Sequence, residues 1–511
     1  MPTRQHANNK KAYLIILDGF GLGHHDNGDA IFNAKKPFID GLLDKYPSSK
    51  LKTHGAAVGL PEFQTGGSEA GHITIGAGRP VKQFLTKIND QIDDGTFFQN
   101  PVLIDLFKKA KNNNKIHFFG LTSDGGIHSF LPHLFGLLKM AKQYKIKNTF
   151  IHACLDGRDV GEKTAKEYLK QIDDQNYGEI ASLGGRFFGM DRDQNWDRIS
   201  KHYEVLCDKE AQPTKQSWEE YLDNFYKNSE KSDYYVPPVL FQENGQIQSD
   251  DIVIFFDFRA DRMRQISASI SDKNFNGFKP SVQIPAENLG VFGKYADWAK
   301  QIFSDSKVDI PNTLGEIIAN TGEKQLRISE SEKYNHVTFY FSGERKEEFE
   351  GETRILVPSP KCASYAELPA MSAQEQTDKA ISEIEKDKYK FIVQNFANAD
   401  LVGHSGNYEA AKASIEVLDR CLEKIVPKIL EKGYELLITA DHGNSDEMLM
   451  KNGDPNASHS KNLVPCIWVS SSSKGKKMKK IGTLADIAPT ILKFLSIEKP
   501  SEMTGNSLIL N

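Results

Sequence analysis

The run Gly66-Gly67-Ser68-Glu69-Ala70-Gly71-His72-Ile73-Thr74-Ile75-Gly76-Ala77-Gly78 sets a hydroxyl among glycines. A serine hydroxyl is a weak nucleophile until a base or a metal lowers its pKa. The chain supplies suitable groups at both ends: Asp18 on one side, and Asp400, His404, Asp441, His442 and His459 on the other. For them to reach Ser68, the two ends must fold together. The chemistry they imply is metal-assisted transfer through a serine. Ser-Glu-Ala-Gly also suits a helix start with Ser68 as N-cap, and a helix N-terminus favours a bound phosphate.

Asp18 closes the apolar run Ala12-Tyr13-Leu14-Ile15-Ile16-Leu17. A carboxylate just past a strand of an α/β sheet stands where ligands bind. The following Gly19-Phe20-Gly21-Leu22-Gly23 superficially resembles a dinucleotide loop, but Asp18 would repel a pyrophosphate and the last glycine of that fingerprint is missing. Asp400 and His404 follow Phe391–Phe396 at a spacing of four, and Asp441-His442 follow Leu436–Ala440. His459 lies in a polar loop, Ala457-Ser458-His459-Ser460. Carboxylates and imidazoles without thiolates suit Mn²⁺, Zn²⁺, Co²⁺ or Mg²⁺. There are too many donors for one four-coordinate ion. Two ions about 4 Å apart would clamp the attacking and leaving oxygens of a phosphoryl transfer.

The middle of the chain reads differently. Ile116–Leu121 leads into Ser123-Asp124-Gly125-Gly126-Ile127-His128, and Thr149–Leu155 into Asp156-Gly157-Arg158-Asp159. Gly185-Arg186-Phe187-Phe188 leads into Met190-Asp191-Arg192, and Ile252–Phe256 into Asp257-Phe258-Arg259-Ala260-Asp261-Arg262. Arginines recurring past strand ends in an acidic protein point to an anion site, because guanidinium forks bind carboxylate and phosphate bidentately. A small substrate bearing both groups would lie against the metal-binding residues across a cleft.

Positioning these residues requires an α/β fold with mostly parallel sheets, since short apolar runs alternate with helix-like stretches. Strands are predicted at 12–17, 116–121, 149–155, 252–257, 391–396 and 435–440. Ligand-type residues lie outside the central segment. The chain therefore reads as an outer, discontinuous domain of residues 1–80 and 311–511, with a second α/β domain, 81–310, inserted into it. The crossings, near Gly78–Lys82 and Asp305–Pro311, are expected hinges, because a closing cleft keeps water from a reactive phosphoryl intermediate.

Composition narrows the partners. Over 511 residues the net charge is -5, which gives no general attraction to nucleic acid or acidic membranes. The basic stretch Lys474–Lys480 reads as a solvated loop. Five scattered cysteines without a C-x-x-C pair fit a reducing cytoplasm. The apolar run before Asp18 is too short for a signal or membrane segment. No heptad argues for an oligomer.

Taken together, the motifs resemble cofactor-independent phosphoglycerate mutase of the alkaline phosphatase superfamily, along essentially the whole chain. The resemblance rests on Leu-Asp-Gly-Phe-Gly, Gly-Ser-Glu-Ala-Gly-His…Ile-Gly-Ala-Gly-Arg, Thr-Ser-Asp-Gly-Gly-Ile-His-Ser, Asp-Gly-Arg-Asp and Gly-Arg-Phe-Phe-Gly-Met-Asp-Arg-Asp. It continues through Phe-Asp-Phe-Arg-Ala-Asp-Arg, Glu-Lys-Tyr-Asn-His-Val-Thr-Phe, Asn-Ala-Asp-Leu-Val-Gly-His-Ser-Gly and Thr-Ala-Asp-His-Gly-Asn. The metal motifs are shared with phosphatases, sulfatases and phosphopentomutases, whereas the arginine motifs are specific. The resemblance implies an outer domain like alkaline phosphatase and interconversion of 3- and 2-phosphoglycerate by a monomer through phosphoserine at Ser68. It assigns one metal to Asp400, His404 and His459, the other to Asp18, Ser68, Asp441 and His442, with manganese as the ion. It gives substrate contacts to His128, Arg158, Asp159, Arg186, Arg192, Arg259, Arg262 and Lys333. Asp159 would shuttle the glycerate hydroxyl proton, and Lys333 would stabilise the transferring phosphate. His336 is expected to be structural or to support a ligand rather than to be one. The sequence departs from the family pattern at Gly67, where Asn is usual, at Ala70, where Val is usual, and at Pro80-Val81-Lys82. The competing readings are a metal-dependent phosphohydrolase or other phosphomutase, and a non-catalytic metal-binding protein.

Overall fold

The computed structural model describes residues 10–303, 310–450 and 452–510. The chain divides into two compact units, Met1–Gln83 with Lys307–Asn511, and Phe84–Ser306. The expected second hinge falls largely on 304–309, outside the described residues. Each unit has its own sheet flanked by helices, the α/β class expected from the sequence.

The first unit is built on eight strands in the order Glu352–Val357, Gln325–Glu330, Phe391–Phe396, Lys11–Leu17, Tyr434–Thr439, Val464–Val469, Ser48–Lys52 and Ile481–Thr483. The first five run parallel, and Val464–Val469 is antiparallel to both its neighbours. Ala12 to Leu17 is fully buried, as a strand covered on both faces by helices must be. Register aligns the strand ends: Leu17 lies beside Phe396, Ile16 beside Thr439, and Ser329 beside Asn395. Four neighbouring parallel strands thus deliver Asp18, Asp400, Asp441 and Lys333 to one edge of the sheet.

The second unit has seven strands, in the order Val239–Leu240, Glu179–Gly185, Asn148–Leu155, Lys115–Leu121, Ile252–Phe255, Leu289–Val291 and Lys300–Gln301. All pair in parallel except Val239–Leu240. Separate apolar cores, one around Leu106, Phe118 and Leu137 and one around Phe255, Ile266 and Leu289, line the sheet. Gly185-Arg186-Phe187-Phe188, placed at a strand end in the sequence, straddles the boundary: the strand ends at Gly185 and a helical turn, Arg186–Gly189, begins.

Candidate active site

In the first unit, Ser68 is the first residue of the helix Ser68–Ala77, and Gly67 is its N-cap. The sequence reading of Ser68 as the cap is therefore corrected. Gly67 is extended, with φ -160°, and a Cβ there would meet only the His459 ring at 3.7 Å. A residue with a Cβ would fit that backbone. Gly19 is different: at φ +76° its Cβ would approach the Asp400 backbone to 2.7 Å. The glycine-rich loop after Asp18 thus lets the first strand end pack against the helix Asn398–Gly403 that carries Asp400.

Three groups converge on the Ser68 hydroxyl. It donates to Asp18 Oδ1 at 3.1 Å, His442 Nε2 lies 3.0 Å away, and Lys333 Nζ donates to it at 2.7 Å. Lys333 also donates to Asp18 Oδ1 at 2.7 Å and to Asp400 Oδ2 at 2.6 Å. Lys333 ends a 3₁₀ turn, Ser331–Lys333, which is followed by a π-helical turn, His336–Tyr340. The His336 ring lies 5.4 Å from both His72 and Tyr340.

A second group surrounds Asp400. His404 Nε2 and His459 Nε2 each lie 3.2 Å from Asp400 Oδ1 and 3.1 Å from one another. Both rings use Nδ1 on a backbone carbonyl, Ala457 O at 2.7 Å and Gly66 O at 2.8 Å. A carbonyl only accepts, so in each neutral ring the proton sits on Nδ1 and Nε2 presents a lone pair. Two lone pairs and a carboxylate oxygen at mutual distances near 3 Å form a site that a cation would satisfy.

Asp441 points to the same conclusion for the other group. Its Oδ1 accepts from the backbone N–H of His442 at 3.1 Å and of Gly19 at 3.4 Å. Its Oδ2, fully buried, makes no well-formed hydrogen bond among the described residues, and His72 Nδ1 lies 3.2 Å from it. His442 Nε2 lies 3.4 Å from Asp18 Oδ1 and 3.6 Å from Asp441 Oδ2. Among the described residues, Asp18 with Asp441 and His442, and Asp400 with His442 and His459, form ion-sized donor groups. The oxygen and imidazole donor set fits hard or borderline divalent metals.

Electrostatics follow from burial. Desolvation alone would raise the Asp18 and Asp400 carboxyls, but the Lys333 ammonium and the neighbouring histidines hold both well below the usual carboxylate range. Lys333 would lose its proton on burial, yet Asp18 and Asp400 push its pKa up, so it stays charged. Burial opposes charge on His442 too, but Asp441 and Asp18 raise it to about 10. A field that draws a proton to this nitrogen also draws a metal cation.

The second unit gathers the remaining residues singled out in the sequence. Arg186, almost wholly buried, donates through Nη1 to Asp156 Oδ1 and Asp159 Oδ2, both at 2.7 Å. His128 Nε2 lies 4.0 Å from Asp159 Oδ2, and its Nδ1 lies 3.8 Å from Asp261 Oδ1. Arg192 Nη1 pairs with Asp261 Oδ2 at 2.8 Å and Arg259 Nε with Asp261 Oδ1 at 3.3 Å. Arg262 donates to Met190 O at 3.0 Å, and the Arg158 side chain is exposed. Burial, reinforced by Asp156, raises the Asp159 carboxyl above its ordinary value. Burial and the Arg186 charge lower His128 to about 3, so its ring is neutral.

Sequence spacing missed three buried residues that hold these groups. Asp156 accepts from Ser123 Oγ, the Asp159 amide and Arg186, and so organises the arginine loop. Asn395, inside an apolar strand, donates to Asp18 Oδ2 at 2.8 Å, and His72 lies beside it. Each stood within a quoted motif or strand, but only its partners distinguish it from a packing residue.

The strand-end donors and the α/β sheet define a metalloenzyme, and the family model of the metalloenzyme superfamily matches residues 10–499. The chain is 45% identical over 510 residues to the 2,3-bisphosphoglycerate-independent phosphoglycerate mutase of Clostridium botulinum, covering 98% of this chain and 99% of that one. It is 44% identical over 501 residues to the enzyme of that name from Staphylococcus epidermidis, covering 97% and 98% of the two chains. A crystal structure of Leishmania mexicana phosphoglycerate mutase at low cobalt concentration superposes with a TM-score of 0.71 at 27% identity, covering 100% of this chain and 99% of that one. The chain belongs to the 2,3-bisphosphoglycerate-independent phosphoglycerate mutase family.

Proposed function

We propose that the protein interconverts 3-phosphoglycerate and 2-phosphoglycerate by moving the phosphoryl group through Ser68. The observation that carries this reading is the convergence of Asp18, His442 and Lys333 within 3.1 Å of one buried hydroxyl. Asp400, His404 and His459 would hold one divalent ion, and Asp18, Asp441, His442 and Ser68 Oγ the other, with manganese as the family-implied ion. When bound, the ions supply the positive charge that lets the Ser68 hydroxyl ionise near neutral pH and offsets charge on the phosphoryl oxygens.

The protein's own residues do the rest. Ser68 Oγ forms a bond to phosphorus as the bond from phosphorus to the glycerate oxygen breaks. The Lys333 ammonium faces the transferring oxygens as a point charge. Because Ser68 opens its helix, first-turn amides without intrahelical acceptors face the phosphoryl position. Asp159, its carboxyl raised by burial, gives a proton to the departing glycerate oxygen and takes one from the other hydroxyl on return. His128 and Arg158, Arg186, Arg192, Arg259 and Arg262 bind the carboxylate and phosphate. In this reading all of them act on one substrate molecule.

The reading takes the protein as a cytoplasmic monomer acting on a small molecule, without nucleic acid or membrane. All five cysteines being free thiols supports a reducing compartment. Among the described residues, no helix is long and apolar enough to cross a membrane. The test is incubation with 3-phosphoglycerate, without 2,3-bisphosphoglycerate, after chelation and add-back of single divalent ions. Formation of the 2-isomer upon add-back supports the reading. Release of inorganic phosphate in its place would make the protein a phosphohydrolase.

A further inference from the structure

Asn395 lies on the strand Phe391–Phe396, beside Ile16 of the strand that ends at Asp18, and is fully buried. Its Nδ2 is 2.8 Å from Asp18 Oδ2 and 3.0 Å from His72 Nε2. A carboxylate beside the Lys333 ammonium can only accept, so the amide must turn its NH₂ toward Asp18. That group has two hydrogens, and the second is aimed at His72. The amide Oδ1 finds no donor among the described residues, so nothing else sets the orientation.

The consequence passes to His72. Its Nε2 must accept, which leaves the proton of the neutral ring on Nδ1. Nδ1 lies 2.9 Å from Ser68 O and 3.2 Å from Asp441 Oδ2. The His72 ring is wholly buried, with His336 at 5.4 Å. Two side chains thus reach both carboxylates of one donor group and the backbone of the nucleophile.

We propose that Asn395 and His72 form a positioning pair that sets the spacing of Asp18, Asp441 and Ser68, and thereby tunes one metal position without touching the other. The inference rests on the two-metal reading above. Groups of this kind, one bond removed from the ligands, typically change metal affinity by about 10–100-fold. The Asp400–His404–His459 group takes its orientation from the carbonyls of Ala457 and Gly66 instead, so it is expected to be independent of the pair.

The experiment is titration of the metal-free full-length protein with Mn²⁺ alone, followed by calorimetry and by electron paramagnetic resonance. Wild type is expected to bind two ions. Asn395→Leu, close in size, and His72→Leu should each weaken one binding event by about 10–100-fold and leave the other unchanged. His72→Asn, which places an amide N–H near the position of Nδ1, should recover part of the loss. Asn395→Asp serves as a second variant of the same size and should weaken the same event, because it sets a second acceptor against Asp18. Two unaltered affinities in folded Asn395→Leu and Asn395→Asp proteins, or equal loss at both positions, would overturn the positioning pair. A wild-type protein that binds no Mn²⁺ at all would overturn the two-metal reading as well.

Discussion

Ser68 Oγ has three ionisable neighbours, and Lys333 is the one whose charge serves both the resting protein and the proposed reaction. Three carboxylates, of Asp18, Asp400 and Asp441, are buried here, and the ammonium bonds two of them. Replacing Lys333 by Met leaves those charges uncompensated, so the metal-free variant should unfold at lower temperature than metal-free wild type. Divalent ions should restore much of that loss. Turnover should stay reduced by roughly 10²–10³-fold even when metal is saturating, the usual effect of removing one donor to a developing anion. Calorimetric melting with and without Mn²⁺, beside a coupled assay, measures both effects. Full turnover in Lys333→Met would remove the lysine from the mechanism. Ser68→Ala should keep the fold and lose detectable isomerisation, since no other hydroxyl bonds to Asp18 and Lys333 among the described residues.

At the scale of elements, the sheet of the second unit carries a row of buried histidines. His117 Nε2 bonds Asp251 at 3.0 Å, His117 Nδ1 meets His152 Nε2 at 2.9 Å, and His152 Nδ1 meets Ser182 Oγ at 2.8 Å across three parallel strands. His202 lies buried without a hydrogen-bond partner on either ring nitrogen among the described residues. Burial lowers His202 to about 3, and it lowers His152 as well. The folded pKa is depressed, so the unfolded chain takes up the proton first. Stability is full above an unfolded value of about 6.5 and is lost as pH falls from there toward about 3. Urea midpoints should therefore drop between pH 7.5 and pH 5, and His202→Leu should flatten that drop. An equal drop in the variant would acquit His202.

The same elements show what a sequence displays. Fully buried parallel strands are continuous apolar runs, and Lys11–Leu17, Lys115–Leu121, Asn148–Leu155, Phe391–Phe396 and Tyr434–Thr439 were legible for that reason. Ser48–Lys52 was not, because it alternates exposed and buried residues and contains mostly Ser and Lys. Asp18, Asp400 and Asp441 were legible as acids just past strands. Lys333 came only from resemblance, since its place depends on a 3₁₀ turn and a π-helical turn that carry no simple spacing. Asn395 and His72 were invisible as a pair because their meaning lies in contacts across 323 residues of chain.

At the scale of the whole molecule, metal and fold are coupled by mass action. Chelation should abolish turnover and lower the melting temperature, and an ion at 100 times its dissociation constant adds about 2.7 kcal/mol per site. The central claim is that phosphorus rests covalently on Ser68 between the two isomers. Rapid acid quench of the metal-loaded protein with 3-phosphoglycerate labelled in its phosphate, followed by peptide mass spectrometry, tests it most directly. The account predicts label on the peptide containing Ser68, appearing no later than 2-phosphoglycerate and absent in Ser68→Ala. Production of 2-phosphoglycerate with no label on the protein, or with label on another residue, would contradict it.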